Sequence, residues 1–212
     1  MKKQKFVFYN LARVCIDKRE PIGSKLLSKK IKNKLSPPML RIYLRRLVSA
    51  GYIENVPHFL GRLPTPKGWY AYIKKFKLKA EKRIPFEFNR NYSLDDLATF
   101  TRNVIFNTSS LSSRFTIKGL KYIIDDNKEG EIVEDILNII ENLDNLSEGF
   151  KNNRIKILIG DRFCLSQTKK ISLIGYRRGD FIIGFLGHQI NCYHTNIILL
   201  KKLFINNGRD SK

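Results

Sequence analysis

The chain is short of cysteine, tryptophan, carboxylates and long apolar runs. Three cysteines in 212 residues, Cys15, Cys164 and Cys192, are odd in number and far apart, which excludes a disulfide framework and suits a reducing compartment. No stretch approaches the roughly 18 uninterrupted apolar residues of a membrane-spanning helix. The opening "MKKQKFVFYNLARVCID" starts basic, but Asn10, Arg13 and Asp17 interrupt its apolar residues, so it does not read as a signal peptide. A cytoplasmic, non-membrane protein is the expectation. The three histidines stand in no nucleophile motif, and no carboxylate pair suggests acid–base chemistry. The glycines at 175, 179, 184 and 187 punctuate strands rather than cradle phosphate. Cys192 and His194 lack a second Cys/His pair, so a metal site is not expected, and Cys164 and Cys192 read as small buried residues. Neither an enzyme nor a cofactor is indicated.

Carboxylates are scarce mainly at one end. Residues 1–85 hold 22 Lys and Arg against 4 Asp and Glu, which places +18 of the net +21 in the first two fifths of the chain. A polycation that dense calls for a polyanionic partner, double-stranded DNA or RNA, unless it is a solvated lysine-rich surface.

The basic region has a helical grammar. Phe6, Phe8, Leu11, Ala12, Cys15 and Ile16 recur at helical spacing over residues 5–18. "EPIGS" then breaks the chain, with Ser24 as a cap for a second helix over "KLLSKKIK". "SPPMLRIYLRRLVSAG" follows. Proline is tolerated in a helix's first turn, so either Ser36 caps through the Met39 N–H or Pro37 is itself the cap. Leu40, Leu44 and Leu47 share one face, leaving Met39, Arg41, Ile42, Tyr43, Arg45 and Arg46 outside it, and Gly51 suits the C′ position. "YIENV" and "RLPT" read as strands around the loop "PHFLG", and Thr65 caps a fourth helix starting at Pro66. Three helices followed by a β-hairpin are the order of a winged helix-turn-helix.

In that fold Arg41, Tyr43, Arg45 and Arg46 face bases or phosphates, while Met39, Ile42 or Tyr43 can meet thymine methyls. Arg62 with His58 suits a wing contact, and Lys67, Lys74 and Lys75 suit phosphates. Ser24 and Lys25 open the second helix, whose N–H groups could hold a phosphate.

Residues 74–92 form a basic junction, and composition shifts after Pro85. The expected division is residues 1–84 as the DNA-binding domain and 85–212 as a small α+β domain. "EIVEDILNIIENLDNLSEGF" carries Ile132, Val133, Ile136, Leu137, Ile140, Leu143 and Leu146 on a stripe, with Glu131, Glu134, Asp135, Glu141 and Asp144 largely opposite. This is an internal core face or a dimer seam. "RIKILIG", "KKISLIGY" and "DFIIGFLG" read as strands, with "RRGD" as a turn and a last helix from about Cys192 carrying Ile197, Leu200, Leu203 and Phe204.

"REPIGSKLLSKKI", "LSPPMLRIYLRRLVSAGYIENVPH" and "GRLPTPKGWYAYI" resemble the DNA-binding domain of the HrcA family, heat-inducible repressors of chaperone operons. "IKGLKYIIDDNKEGEIVEDILNIIENLD", "KILIGD" and "GFLGHQINCY" resemble later family blocks in the same order. The resemblance implies a dimeric repressor reading an inverted repeat, a reduced GAF-like second domain, chaperone genes as targets and the GroE chaperonin as modulator. Three departures stand out. Arg41-Ile42-Tyr43 replaces the family's Arg-Asn-Asp or Arg-Asn-Glu. His188, Gln189, Ile190 and Asn191 replace Pro-Thr-Arg-Met between the retained Gly184, Gly187 and Tyr193. Family members are also much longer, residues 86–115 standing in for half of a GAF-like domain and an inserted dimerisation domain. Two other functions fit the composition: a paralogue with altered operator and a small-molecule sensor, or a basic nucleic-acid binder without sequence preference.

Overall fold

A computed structural model of the chain describes residues 2–32, 34–57, 61–76, 92–109, 114–126, 131–143, 149–162 and 170–202. The chain forms two compact units, Met1–Lys79 and Ala80–Lys212. The expected domain boundary at 84/85 and most of the basic junction lie outside the described residues, as do His58, Cys164, Leu146, Leu203 and Phe204.

In the first unit, α1 spans Lys2–Lys18 and buries Phe8, Leu11, Ala12 and Cys15 of the expected stripe together with Val7 and Val14, while Phe6 and Ile16 are only half-buried. Helix α2 is Ser24–Lys30, and α3 is Pro37–Ser49. Gly23, not Ser24, occupies the N-cap of α2, and no side chain caps it; Ser24 is the first helical residue. Ser36 is the N-cap of α3 by backbone conformation, with Pro37 and Pro38 in the first turn, but its hydroxyl makes no capping bond. The expected Ser36–Met39 bond is therefore not made.

Leu40, Leu44 and Leu47 are buried, each such burial contributing roughly 1.5–3 kcal/mol. The helix ends in a Schellman arrangement: Gly51 N–H donates to Val48 O at 2.8 Å and Tyr52 N–H to Leu47 O at 3.0 Å. Gly51 takes φ +69°, where a side chain would be strained. Strands β1 (Ile53–Asn55) and β2 (Arg62–Pro64) pair antiparallel. Ile22 joins β2 as a third, one-residue bridge through reciprocal 3.0 Å backbone bonds with Arg62. Helix α4 (Pro66–Phe76) is capped by Thr65, whose Oγ1 accepts from Gly68 N–H at 3.2 Å.

The second unit is a five-stranded antiparallel sheet in the order β4-β3-β7-β6-β5. Its strands are β3 (Val104–Ser109), β4 (Arg114–Lys118), β5 (Ile155–Ile159), β6 (Ile171–Arg178) and β7 (Phe181–His188). Helices α5 (Leu94–Thr101), α6 (Leu120–Asp126), α7 (Glu131–Glu141) and α8 (Tyr193–Leu200) accompany it. A capping box between Ser93 and Asp96 starts α5. Hydrogen bonds from Ser93 hold the exposed Asp96 carboxyl below its ordinary pKa.

One sheet face carries Val104, Phe106, Ile171, Leu173, Ile182 and Leu186 in a common core with Ile123 of α6 and Ile132, Ile136 and Ile139 of α7. The α7 stripe is thus a core face. It is rotated from the expected one: Ile139 is fully buried, Leu137 is 44% exposed, and Asp135 is buried rather than opposite. The other sheet face holds Ile105, Ile174 and Phe185, and α8 packs against β6. Two-sided burial explains why β3, "VIFNTS", shows no alternation in sequence. Arg177 and Arg178, expected in the turn, extend β6, leaving Gly179 and Asp180 as a two-residue hairpin loop.

Candidate nucleic-acid interface

The N-terminal half of α3 presents side chains rather than backbone. Of the four N–H groups a helix start leaves unsatisfied, Pro37 and Pro38 delete two. The charged groups at this end of the helix are therefore side chains, Arg41 first among them. Arg41, Arg45 and Arg46 are exposed, and Arg41 and Arg45 stand one turn apart. The helix contains no carboxylate, and among the described residues none of the three guanidinium groups has a protein partner. Met39 is 38% exposed beside them, whereas Ile42 and Tyr43 are half-buried. The face is a basic band with an apolar flank.

The remaining predicted contacts divide. Lys25 is exposed at the start of α2, and Ser24 is half-buried. Arg62 is half-buried, its Nε enclosed without a partner among the described residues, so it is not a fully exposed wing arginine. Cys15 Sγ donates to the Arg62 carbonyl at 3.6 Å, and burial pushes this thiol up to about 12. It is chemically quiet. Cys15 and Cys192 form no disulfide, and Cys192 is half-buried rather than buried. No group of three metal-ligating side chains occurs among the described residues.

Lys67, Lys74 and Lys75 belong to another place. Lys67 Nζ donates to Ala50 O at 2.9 Å and lies 4.8 Å from the Tyr52 ring centre, where its charge complements the carbonyl end of α3. That end is roughly 13 Å along the helix from Arg41, at 1.5 Å per residue. Lys74 and Lys75 border a groove of about 630 Å³ that also includes Lys5, Phe8, Tyr9 and Tyr52. Lys75 Nζ sits 3.6 Å from the Tyr9 ring centre. Sequence reading missed this groove, since its only local signal is Lys5 and Tyr9 four residues apart on α1.

In the second unit, the loop that departs from the expected Pro-Thr-Arg-Met is a buried amide network. Asn191 Oδ1 accepts from Asn103 Nδ2 and Asn196 Nδ2, both at 3.1 Å, and Asn191 Nδ2 donates to Ser172 Oγ at 3.2 Å. Tyr193 OH donates to Gln189 O at 2.6 Å, and Ile190 N–H to His188 Nδ1 at 2.9 Å. Desolvation pushes the His194 imidazole pKa down, so it stays neutral near pH 7. Elsewhere on the α8 face of the sheet, Asn107, Tyr176, Arg178, Phe181 and Ile183 line a cavity of about 400 Å³.

No protein-family model matches the chain. It is 30% identical over 105 residues, 46% of its length, to the heat-inducible transcription repressor HrcA of Leptospira biflexa, of which the match takes up 31%. Against HrcA of Pelotomaculum thermopropionicum it is 37% identical over 54 residues, 26% of this chain and 16% of that one. The chain thus spans less than a third of either relative. A crystal structure described only as that of a hypothetical protein superposes with a TM-score of 0.80 at 13% identity, covering 99% of this chain and 98% of the other. The fold is shared with that protein. No helix among the described residues is long and apolar enough to cross a membrane.

Proposed function

We propose that the chain is a DNA-binding transcription repressor whose first unit is a winged helix-turn-helix with α3 as recognition helix. The observation that carries this is the set of three guanidinium groups, without a partner among the described residues, on the exposed face of a helix whose opposite face is locked by leucines. The order α1, Ile22 bridge, α2, α3, β1–β2 hairpin supports the winged-helix reading, as do the charge concentrated in this unit and the partial similarity to HrcA repressors. Arg41 and Arg45 read guanine edges or grip phosphates, and Met39 and Ile42 meet thymine methyls in place of the family's asparagine. The second unit, a reduced GAF-like domain, pairs two chains on an inverted repeat upstream of chaperone genes, with GroE as modulator. Its 400 Å³ cavity, with one guanidinium and one buried tyrosine, suits the alternative role of small-molecule sensor.

Arg41→Ala is expected to weaken binding to a selected operator by about 1–3 kcal/mol while leaving random duplex nearly unaffected. Lys25→Ala should weaken both alike and reduce the salt dependence by about one counterion. Filter binding across a salt series separates the two. Equal losses on operator and random DNA from Arg41→Ala would remove direct readout and leave a nonspecific basic protein.

A further inference from the structure

The groove at the far end of α3 has the chemistry of a ligand site. Tyr9 of α1 and Tyr52 after α3, both half-buried, supply aromatic surface above the buried Phe8 ring, while Lys5, Lys74 and Lys75 stand around it, and no carboxylate is among its described lining residues. Its volume of about 630 Å³ lies within the range of small-molecule pockets. Burial, with the Tyr52 phenol adding, holds the Tyr9 hydroxyl above its ordinary pKa, so Tyr9 presents a neutral ring and no competing negative charge.

We propose that this groove binds a small amphipathic organic anion: an apolar or aromatic body lying on Tyr9 and Tyr52, with its carboxylate, sulfonate or phosphate held by Lys5, Lys74 and Lys75. Charge complementarity selects that occupant. Three ammonium groups around the groove, with no carboxylate among its described lining residues, favour an anionic occupant. Aromatic surface beside ammonium groups matches a compact ligand that is apolar at one end and anionic at the other. The proposal stands independently of the repressor reading, because it concerns binding without DNA.

The probe is 8-anilinonaphthalene-1-sulfonate, with N-phenyl-1-naphthylamine as its body without the charge, titrated into the full chain. One sulfonate should bind per chain with a fluorescence rise. Lys5→Ala/Lys74→Ala/Lys75→Ala should weaken it at least about tenfold with an unchanged circular dichroism spectrum, and the uncharged amine should bind less tightly to the native chain. Ala71→Trp, which fills the groove without altering charge, should abolish the signal. Phe181→Ala, in the other unit, should leave it intact. Sulfonate affinity unchanged in the triple variant, equal binding of both probes, or loss on Phe181→Ala alone would overturn the proposal. Displacement of the sulfonate by random duplex DNA would also overturn it, assigning the lysines to phosphates instead.

Discussion

Trp69→Ala should cost about 3–5 kcal/mol and, with it, most of the stability of the first unit. Trp69 is fully buried at the start of α4 and meets Tyr72 edge-on, with ring centres 6.0 Å apart and planes at 88°. A close-packed interior does not readily collapse into the space left by an indole. Because it is the chain's single tryptophan, its fluorescence in the native protein reports on the first unit alone. The variant must be followed by circular dichroism during urea denaturation. A loss below about 1 kcal/mol would mean that α4 is not integral to the unit.

Asn191→Leu should destabilise the second unit by about 3 kcal/mol, although leucine is apolar and similar in size. Asn191 is 5% exposed, and its removal leaves the fully buried Asn196 amide without its acceptor while weakening the bonds of Asn103 and Ser172. A buried donor left unpaired costs about 1–3 kcal/mol, and here several groups share one hub. Gly187→Ala attacks the same network differently: a Cβ there would overlap Asn103 Oδ1. The two changes together should cost little more than the worse one, since both disrupt one unit. Full additivity in thermal melts would show that the amides act separately.

Much of the first unit was legible because its signals are local. The i, i+4, i+7 leucines of α3, the Gly51 stop and the Thr65 cap each depend on a few neighbouring residues, and each is found in place. Ser24 and Ser36 misled: a serine before a helix can cap it, but at α2 the chain turns one residue earlier, at Gly23, and at α3 Pro38 removes one of the two N–H groups a cap can hold, while Ser36 does not take the other, that of Met39. The second unit was harder. Strand β3 is buried on both faces and lacks alternation. Asp135 was assigned outward on periodicity alone, yet it is buried. The arginine face of α3 was visible in sequence, whereas the separation of Lys67, Lys74 and Lys75 from it depends on how α4 meets α1, which no local pattern encodes.

Sequence-specific DNA recognition by the first unit is the central claim. Its most direct test is to incubate the purified full chain with sheared genomic DNA at near-physiological salt and sequence what is retained. The account predicts enrichment of one inverted repeat, upstream of chaperone genes if the resemblance extends to targets, and loss of that enrichment in Arg41→Ala. Retention that falls with salt equally for all fragments, with no sequence enriched, would contradict it.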